Sequence, residues 1–211
     1  MDNLHIATIA IIVANVLVSL KGFNDASFFE RYKFSVGGIK TGQKERMLSS
    51  GFLHVDFSHL IFNMLTLYFF ADVVIHQFGP SKFLLIYFIS LMGGSLLALF
   101  FHKDEPYYSA VGASGAVMGV LYSAILLDPF MPIYGIVPAF IFGIAYLLYS
   151  IYGIKKSIGN IGHTAHFGGA VGGYFSTLLF FPELVFTSTL FVVALALPII
   201  ILFVMQKMGK I

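Results

Sequence analysis

The sequence predicts an all-α, polytopic membrane protein, and three observations lead there. Of its 211 residues, 58% are hydrophobic and only 10% are charged. A soluble domain carries about 25% charged residues, so this chain has too few to cover a water-facing surface. Apolar runs of spanning length recur along it, and Pro or Gly punctuation separates most of them. A transmembrane barrel would need alternating segments of roughly ten residues instead.

The apolar runs lie at about 5–20, 58–76, 81–101, 113–127, 132–152, 161–181 and 184–206. The breaks between them are Gly79-Pro80, Pro106, Asp128-Pro129 with Pro132, Gly159-Asn160, and Pro182. Pro and Gly end helices or start turns, and runs near 20 residues fit spanning helices. The first run, Ile6–Leu20, follows no basic residue and precedes no small-x-small cleavage site, so it reads as a retained span rather than a signal peptide. Residues 1–181 are expected to form a six-helix core, and 182–211 an additional C-terminal helix with a short tail. One long connection, about 21–57, holds many of the charges and several Gly. A structureless loop of that size is uncommon in a compact domain and is often functional.

Several function classes drop out. A formal charge of +2 is too small to indicate a nucleic-acid partner. With no Cys there is no disulfide framework and no thiol nucleophile. A His-Glu-x-x-His metalloprotease run is missing, and no metal or cofactor is expected. A transporter built from inverted repeats with broken helices in both halves finds no support in the pattern.

The fourth run is too short. As a helix it rises about 22 Å, whereas the hydrocarbon core is about 30 Å thick. It opens on Gly112-Ala113-Ser114-Gly115, so Ser114 is expected on the first turn of a helix that begins part-way into the bilayer. Backbone N–H groups there are unpaired and carry partial positive charge, and they suit an oxyanion forming beside the Ser114 hydroxyl. Gly112 and Gly115 leave room for a substrate backbone. The plainer alternative is that Ser114 caps its helix or fills a helix contact.

Polar groups inside apolar spans are costly and need a reason. His166 falls in the first turns of the sixth run, where a neutral imidazole suits a general base. Gly115 and Gly119 on the fourth run match Gly169 and Gly173 on the sixth in four-residue spacing. Facing each other, these small residues let two backbones approach closely and bring Ser114 within reach of His166. His59 and Asn63, spaced i, i+4, share one face at the start of the second run and are candidate oxyanion donors. His54 reads as a structural residue that orders the long loop, whereas His163, His76 and His102 read as interfacial. No Asp or Glu occurs in the sixth run, and Asp128 lies about 21 Å along its helix from Ser114. The residues therefore point to a Ser–His dyad without a third acid. The Gly-x-Ser-Gly segment also lacks the preceding strand of a nucleophile elbow.

Taken together, Gly112-Ala113-Ser114-Gly115, His59-x-x-x-Asn63 and Ala165-His166-x-x-Gly169-x-x-x-Gly173 resemble the motifs of the rhomboid family of intramembrane serine proteases, in the family's order, over about residues 5–181. Arg46 matches an arginine of the family's first loop, though Glu45 stands where a Trp is usual. Where members often carry an aromatic four residues after the nucleophile, this chain has Met118. The resemblance implies Ser114 as nucleophile, His166 as general base and acid, and His59, Asn63 and the Ser114 N–H as oxyanion donors. It implies transmembrane protein substrates, and lateral entry gated by the fifth span and the loop after it. The seventh run resembles the extra C-terminal span of some members. A rhomboid-like pseudoprotease that holds clients without cutting them is the alternative.

Orientation draws two answers. With seven spans, every Lys and Arg except Lys82 lies on the side of the C-terminus and of the polar clusters. The positive-inside rule puts that side in the cytoplasm. The family resemblance implies the opposite, a site opening away from the cytoplasm, and that is the orientation expected here, in a cell membrane. The oligomeric state is not legible in the sequence.

Overall fold

A computed structural model of the protein describes residues 5–133, 135–156 and 162–211. Residues 1–4, the turn signal at Gly159-Asn160 and the start of the sixth run at 161 lie outside the described residues.

The chain is mostly helical. Helix α1 spans Ile6–Asn24. The long connection that follows is built rather than structureless. It holds α2 (Ala26–Tyr32), the short strand β1 (Phe34–Ser35), α3 (Val36–Lys40), α4 (Arg46–Ser49) and a single 3-10 turn, Ser50–Phe52. Asp25 caps α2 by accepting from the Phe28 N–H, and Ser35 caps α3 by accepting from the Gly38 N–H. Short polar side chains at such positions satisfy orphan N–H groups of the first turn.

Next comes α5, Phe57–Phe101, which covers the second and third apolar runs without a formal gap. Its 45 residues would rise about 68 Å if straight, more than twice the hydrocarbon core. It is not straight. Gly79 sits at φ 77° and ψ 168°, a conformation open essentially to glycine alone, and Pro80 removes the next N–H. The two halves run back alongside each other, so that His59 and Asn63 near the start line the same cavity as Gly94 and Ser95 near the end.

Strand β2 (Ser109–Ala110) pairs antiparallel with β1, Phe34 opposite Ala110. Helix α6 then spans Ser114–Leu127, and every residue from Gly115 to Leu126 is buried. A helix that is apolar all round belongs inside a core. A small hairpin of β3 (Pro132–Ile133) and β4 (Val137–Pro138) precedes α7, Ala139–Lys156. The fifth helix thus starts later than the apolar pattern from 132 predicts, because Pro138 breaks a helix interior and the stretch pairs as an antiparallel ladder ahead of the helix. Helix α8 spans His163–Phe180, a one-turn helix α9 spans Leu184–Thr187, and α10 spans Thr189–Lys207. The sharp break at Pro182-Glu183 is therefore followed by a separate turn before the last long helix.

Among the described residues, α1, α5 and α10 are long and apolar enough to cross a membrane, and α6 is a shorter apolar helix. The chain is an integral, polytopic membrane protein. The two halves of α5 pack most closely with α6 and α8, α1 lies against α5, and α10 lies against α7.

Glycine explains the central contact. A Cβ added to Gly169 would meet the Gly115 carbonyl oxygen at 1.9 Å, and one on Gly173 would meet that of Gly119 at 2.0 Å. The adjacent face of α8 does the same against α5, where a Cβ on Gly168 would lie 2.5 Å from the Gly93 oxygen. The α8 helix therefore carries two glycine stripes, one for each neighbour. The stripe toward α6 is legible as a spacing match. The stripe toward α5 has the same spacing in Gly168 and Gly172 on α8, but it meets the adjacent pair Gly93 and Gly94, which has no four-residue glycine match.

Candidate active site

The segment entering α6 is fixed from the long connection. Beyond the β1–β2 pair, the Val36 N–H donates to the Tyr108 carbonyl, the Gly37 N–H to Pro106, and the Gly112 N–H to Ser50. Arg46 holds the connection itself together, donating from Nη1 to the carbonyls of Glu30 and Lys33 at 2.8 and 2.9 Å and from Nε to Gln43. One guanidinium fork thus ties three points of chain.

His54 completes this scaffold. It is fully buried. Its Nδ1 lies 2.8 Å from Ser19 Oγ, its Nε2 accepts from the Ala113 N–H at 3.4 Å, and Ser19 donates on to the Phe52 carbonyl. An Nε2 that accepts requires the proton on Nδ1, so Nδ1–H donates to Ser19. Burial pushes the imidazole down to about 3, with the neighbouring His59 acting in the same direction and Asp56 opposing. A neutral His54 therefore links α1 to the residue just before Ser114.

Ser114 is the first residue of α6, and Ala113 stands at the cap position with no side-chain bond to the helix. Ser114 therefore does not cap its helix. Its Oγ lies 2.6 Å from His166 Nε2 at the end of the first turn of α8. The close glycine contact between α6 and α8 sets that distance. Both residues are half-buried and line a cavity of about 1030 Å3 with His59, Asn63, Met118 and Tyr146.

Asp56 caps α5 by accepting from the His59 N–H at 2.7 Å, which seats His59 and Asn63 on one face of the first turns. The His59 ring lies against Gly112. A Cβ there would meet its Cε1 at 2.7 Å, its Nε2 at 2.9 Å and Ser114 Oγ at 3.5 Å. Gly112 also sits at φ 132°, where a side chain is strained. Asn63 is buried, and its amide donates to the His59 carbonyl one turn back. First-turn N–H groups of α6 lack intrahelical acceptors, and Ser114 and Gly115 line the same cavity.

Other expectations are extended. His163 is 4% exposed, with its ring packed over Gly153 and edge-on to Tyr149. His102 stacks on Tyr108 at 3.6 Å. Asp128 caps the far end of α6, away from Ser114. One site residue escapes the sequence altogether: Tyr146 of α7, whose hydroxyl lies 2.6 Å from His166 Nδ1. The only hint was an aromatic series at Phe142, Tyr146 and Tyr149 on α7, indistinguishable by pattern from an interfacial tyrosine cluster.

The fold and this arrangement define a polytopic helical membrane protein with a serine and a histidine paired beneath its surface. A Rhomboid domain model matches residues 41–183, and the chain belongs to the rhomboid family. It is 30% identical over 183 residues to RHOMBOID-like protein 12, mitochondrial, of Arabidopsis thaliana, covering 77% of this chain and 54% of that protein. It is 33% identical over 143 residues to Rhomboid protease GluP of Bacillus subtilis, 65% of this chain and 26% of that one. A third relative, Inactive RHOMBOID-like protein 8 of Arabidopsis thaliana, is 31% identical over 145 residues, 66% of this chain and 39% of that protein. The chain therefore spans about half or less of the length of these curated relatives. The family holds proteases and inactive members alike.

Proposed function

We propose that this chain is a serine-type intramembrane endopeptidase that cleaves transmembrane segments of other membrane proteins. The observation that carries the reading is the 2.6 Å approach of Ser114 Oγ to His166 Nε2 at the wall of a cavity. Ser114 Oγ attacks the scissile carbonyl while its proton passes to His166 Nε2. The oxyanion of the tetrahedral intermediate lies by the first-turn N–H of α6, with His59 and Asn63 as side-chain donors. His166 then returns the proton to the leaving amine, and a water deprotonated by the same Nε2 releases the acyl group. Retention of both Ser114 and His166 favours catalysis over the non-cleaving, client-holding alternative.

The test is a fluorophosphonate probe on the purified, reconstituted protein. Wild type is expected to label, and Ser114→Ala to lose both labelling and cleavage of a transmembrane reporter. Labelling that survives in Ser114→Ala rejects the assignment, and a folded wild type that takes no probe favours the client-holding alternative. The cavity is proposed to open away from the cytoplasm, so a reporter fused after Ile211 should read as non-cytoplasmic if seven spans are present. A cytoplasmic signal from a seven-span protein reverses that orientation.

A further inference from the structure

We infer that Tyr146 is the positioning residue for His166, taking the place that an acid holds in a three-residue serine site. This rests on the dyad reading above. For His166 Nε2 to accept the Ser114 proton it must present a lone pair, so the neutral ring carries its proton on Nδ1. The atom 2.6 Å from Nδ1 is the Tyr146 hydroxyl oxygen, which accepts that N–H and so selects the tautomer and the ring angle. When Nε2 takes the Ser114 proton, the ring becomes a cation and the Nδ1–H bond becomes charge-assisted and stronger. The hydroxyl therefore favours the protonated state reached in the reaction over the resting one, which is what accelerates a step.

A neutral phenol also suits the location. A carboxylate at this depth would be an uncompensated charge in an apolar span, whereas a phenol has only one polar atom to satisfy. The neighbours leave the task to Tyr146. Met118, one turn beyond Ser114 and 8% exposed, is a flexible side chain that holds a ring loosely. No Asp or Glu occurs in α8. The tyrosine itself is held: its ring stacks on Phe142 at 5.9 Å, and its carbonyl accepts from Ser150 Oγ. One turn earlier on α7, Gly143 accepts from the Tyr122 hydroxyl of α6.

Saturation labelling with a fluorophosphonate separates the roles, because the maximal rate reports activation of Ser114 and the half-saturation reports access. Tyr146→Phe keeps the ring and removes the oxygen. It should lower the maximal labelling rate about tenfold, the scale of one hydrogen bond to a charged group, with half-saturation at its wild-type value and the thermal midpoint lowered only by the loss of that one bond. A maximal rate equal to wild type overturns the positioning role. So does a loss that comes with a matching change in half-saturation or with a broadened, non-cooperative melt, since that is packing. If Ser114→Ala abolishes labelling while Tyr146→Phe labels at full rate, the positioning role falls and the dyad stands. If labelling persists in Ser114→Ala, both fall together.

Discussion

The contact of α8 with α6 and the contact of α10 with α7 are both helix pairings inside one membrane protein, yet they are made of different material. In the first, backbone meets backbone. Gly169 and Gly173 lie so close to the carbonyls of Gly115 and Gly119 that no Cβ fits. In the second, side chains interdigitate. Gly143 of α7 has the flexible ends of Leu195 and Ile125 each 3.1 Å from where a Cβ would stand, and much of α10 faces outward. Lipid tails supply no hydrophobic drive for helices to associate, so close backbone approach does that work. A glycine contact has no rotamers to relax and holds one distance. The paired Ser114 and His166 sit on that rigid contact, whereas Tyr146 reaches them from the softer one.

The largest expected effect is at the rigid contact. Gly169→Ala forces α8 off α6 and should cost about 3 kcal/mol, read as a drop in thermal midpoint together with loss of probe labelling. A variant that melts with wild type would show that the contact yields, and the contrast would collapse. Gly112→Ala comes next and should act on the site more than on the fold. Its Cβ would lie 2.7 Å from the His59 ring on a backbone at φ 132°, so labelling should fall about a hundredfold, the scale of a lost oxyanion donor. Unchanged labelling would remove His59 from the site.

The third prediction concerns His54, which joins α1 to the chain entering α6. Its folded value is about 3 against an ordinary 6.5, so between those limits the unfolded state binds more protons than the folded one. Stability then rises with pH across that window and is lost as pH falls through it. The thermal midpoint should therefore decline on acidification from 6.5 toward 3, and less steeply in His54→Asn. Parallel slopes would mean that other groups set the acid limb. The smallest effects belong to the soft contact. Gly143→Ala should cost less than about 1 kcal/mol because Leu195 and Ile125 can turn aside. Leu197→Ala, at a position 52% exposed, should stay within about 0.5 kcal/mol. A large loss at either would show that α10 braces the core.

Much of the fold was legible because membrane helices write their length and their breaks into composition. Gly79-Pro80 marks the reversal inside α5, and the shortness of the fourth run predicted α6 to within a residue at its start. The stretch from 132 to 138 misled, since its apolar residues read as helix while Pro138 lacks the N–H that a helix interior needs, and a short ladder tolerates proline at its ends. The long connection gave little away. Its order comes from Arg46, from the β1–β2 pair and from bonds to residues 106–112 far along the chain, and such partners leave no periodic trace. The packing of His163 was hidden for the same reason: nothing at a helix start signals that Gly153 lies beneath its ring.

By itself the sequence determined the class of molecule and the residue types at stake. Its charge content requires a membrane, its apolar runs require helices, and its motifs set Ser114, His166, His59 and Asn63 in order on them. Only the tertiary structure decided which of these groups meet and at what distance. Spacing along a helix says which face a residue is on, but the 2.6 Å between Ser114 and His166 comes from how far two glycine stripes let the backbones close. It alone brought Tyr146 to the other side of the imidazole, because a contact between residues twenty positions apart on different helices is set by packing and not by pattern.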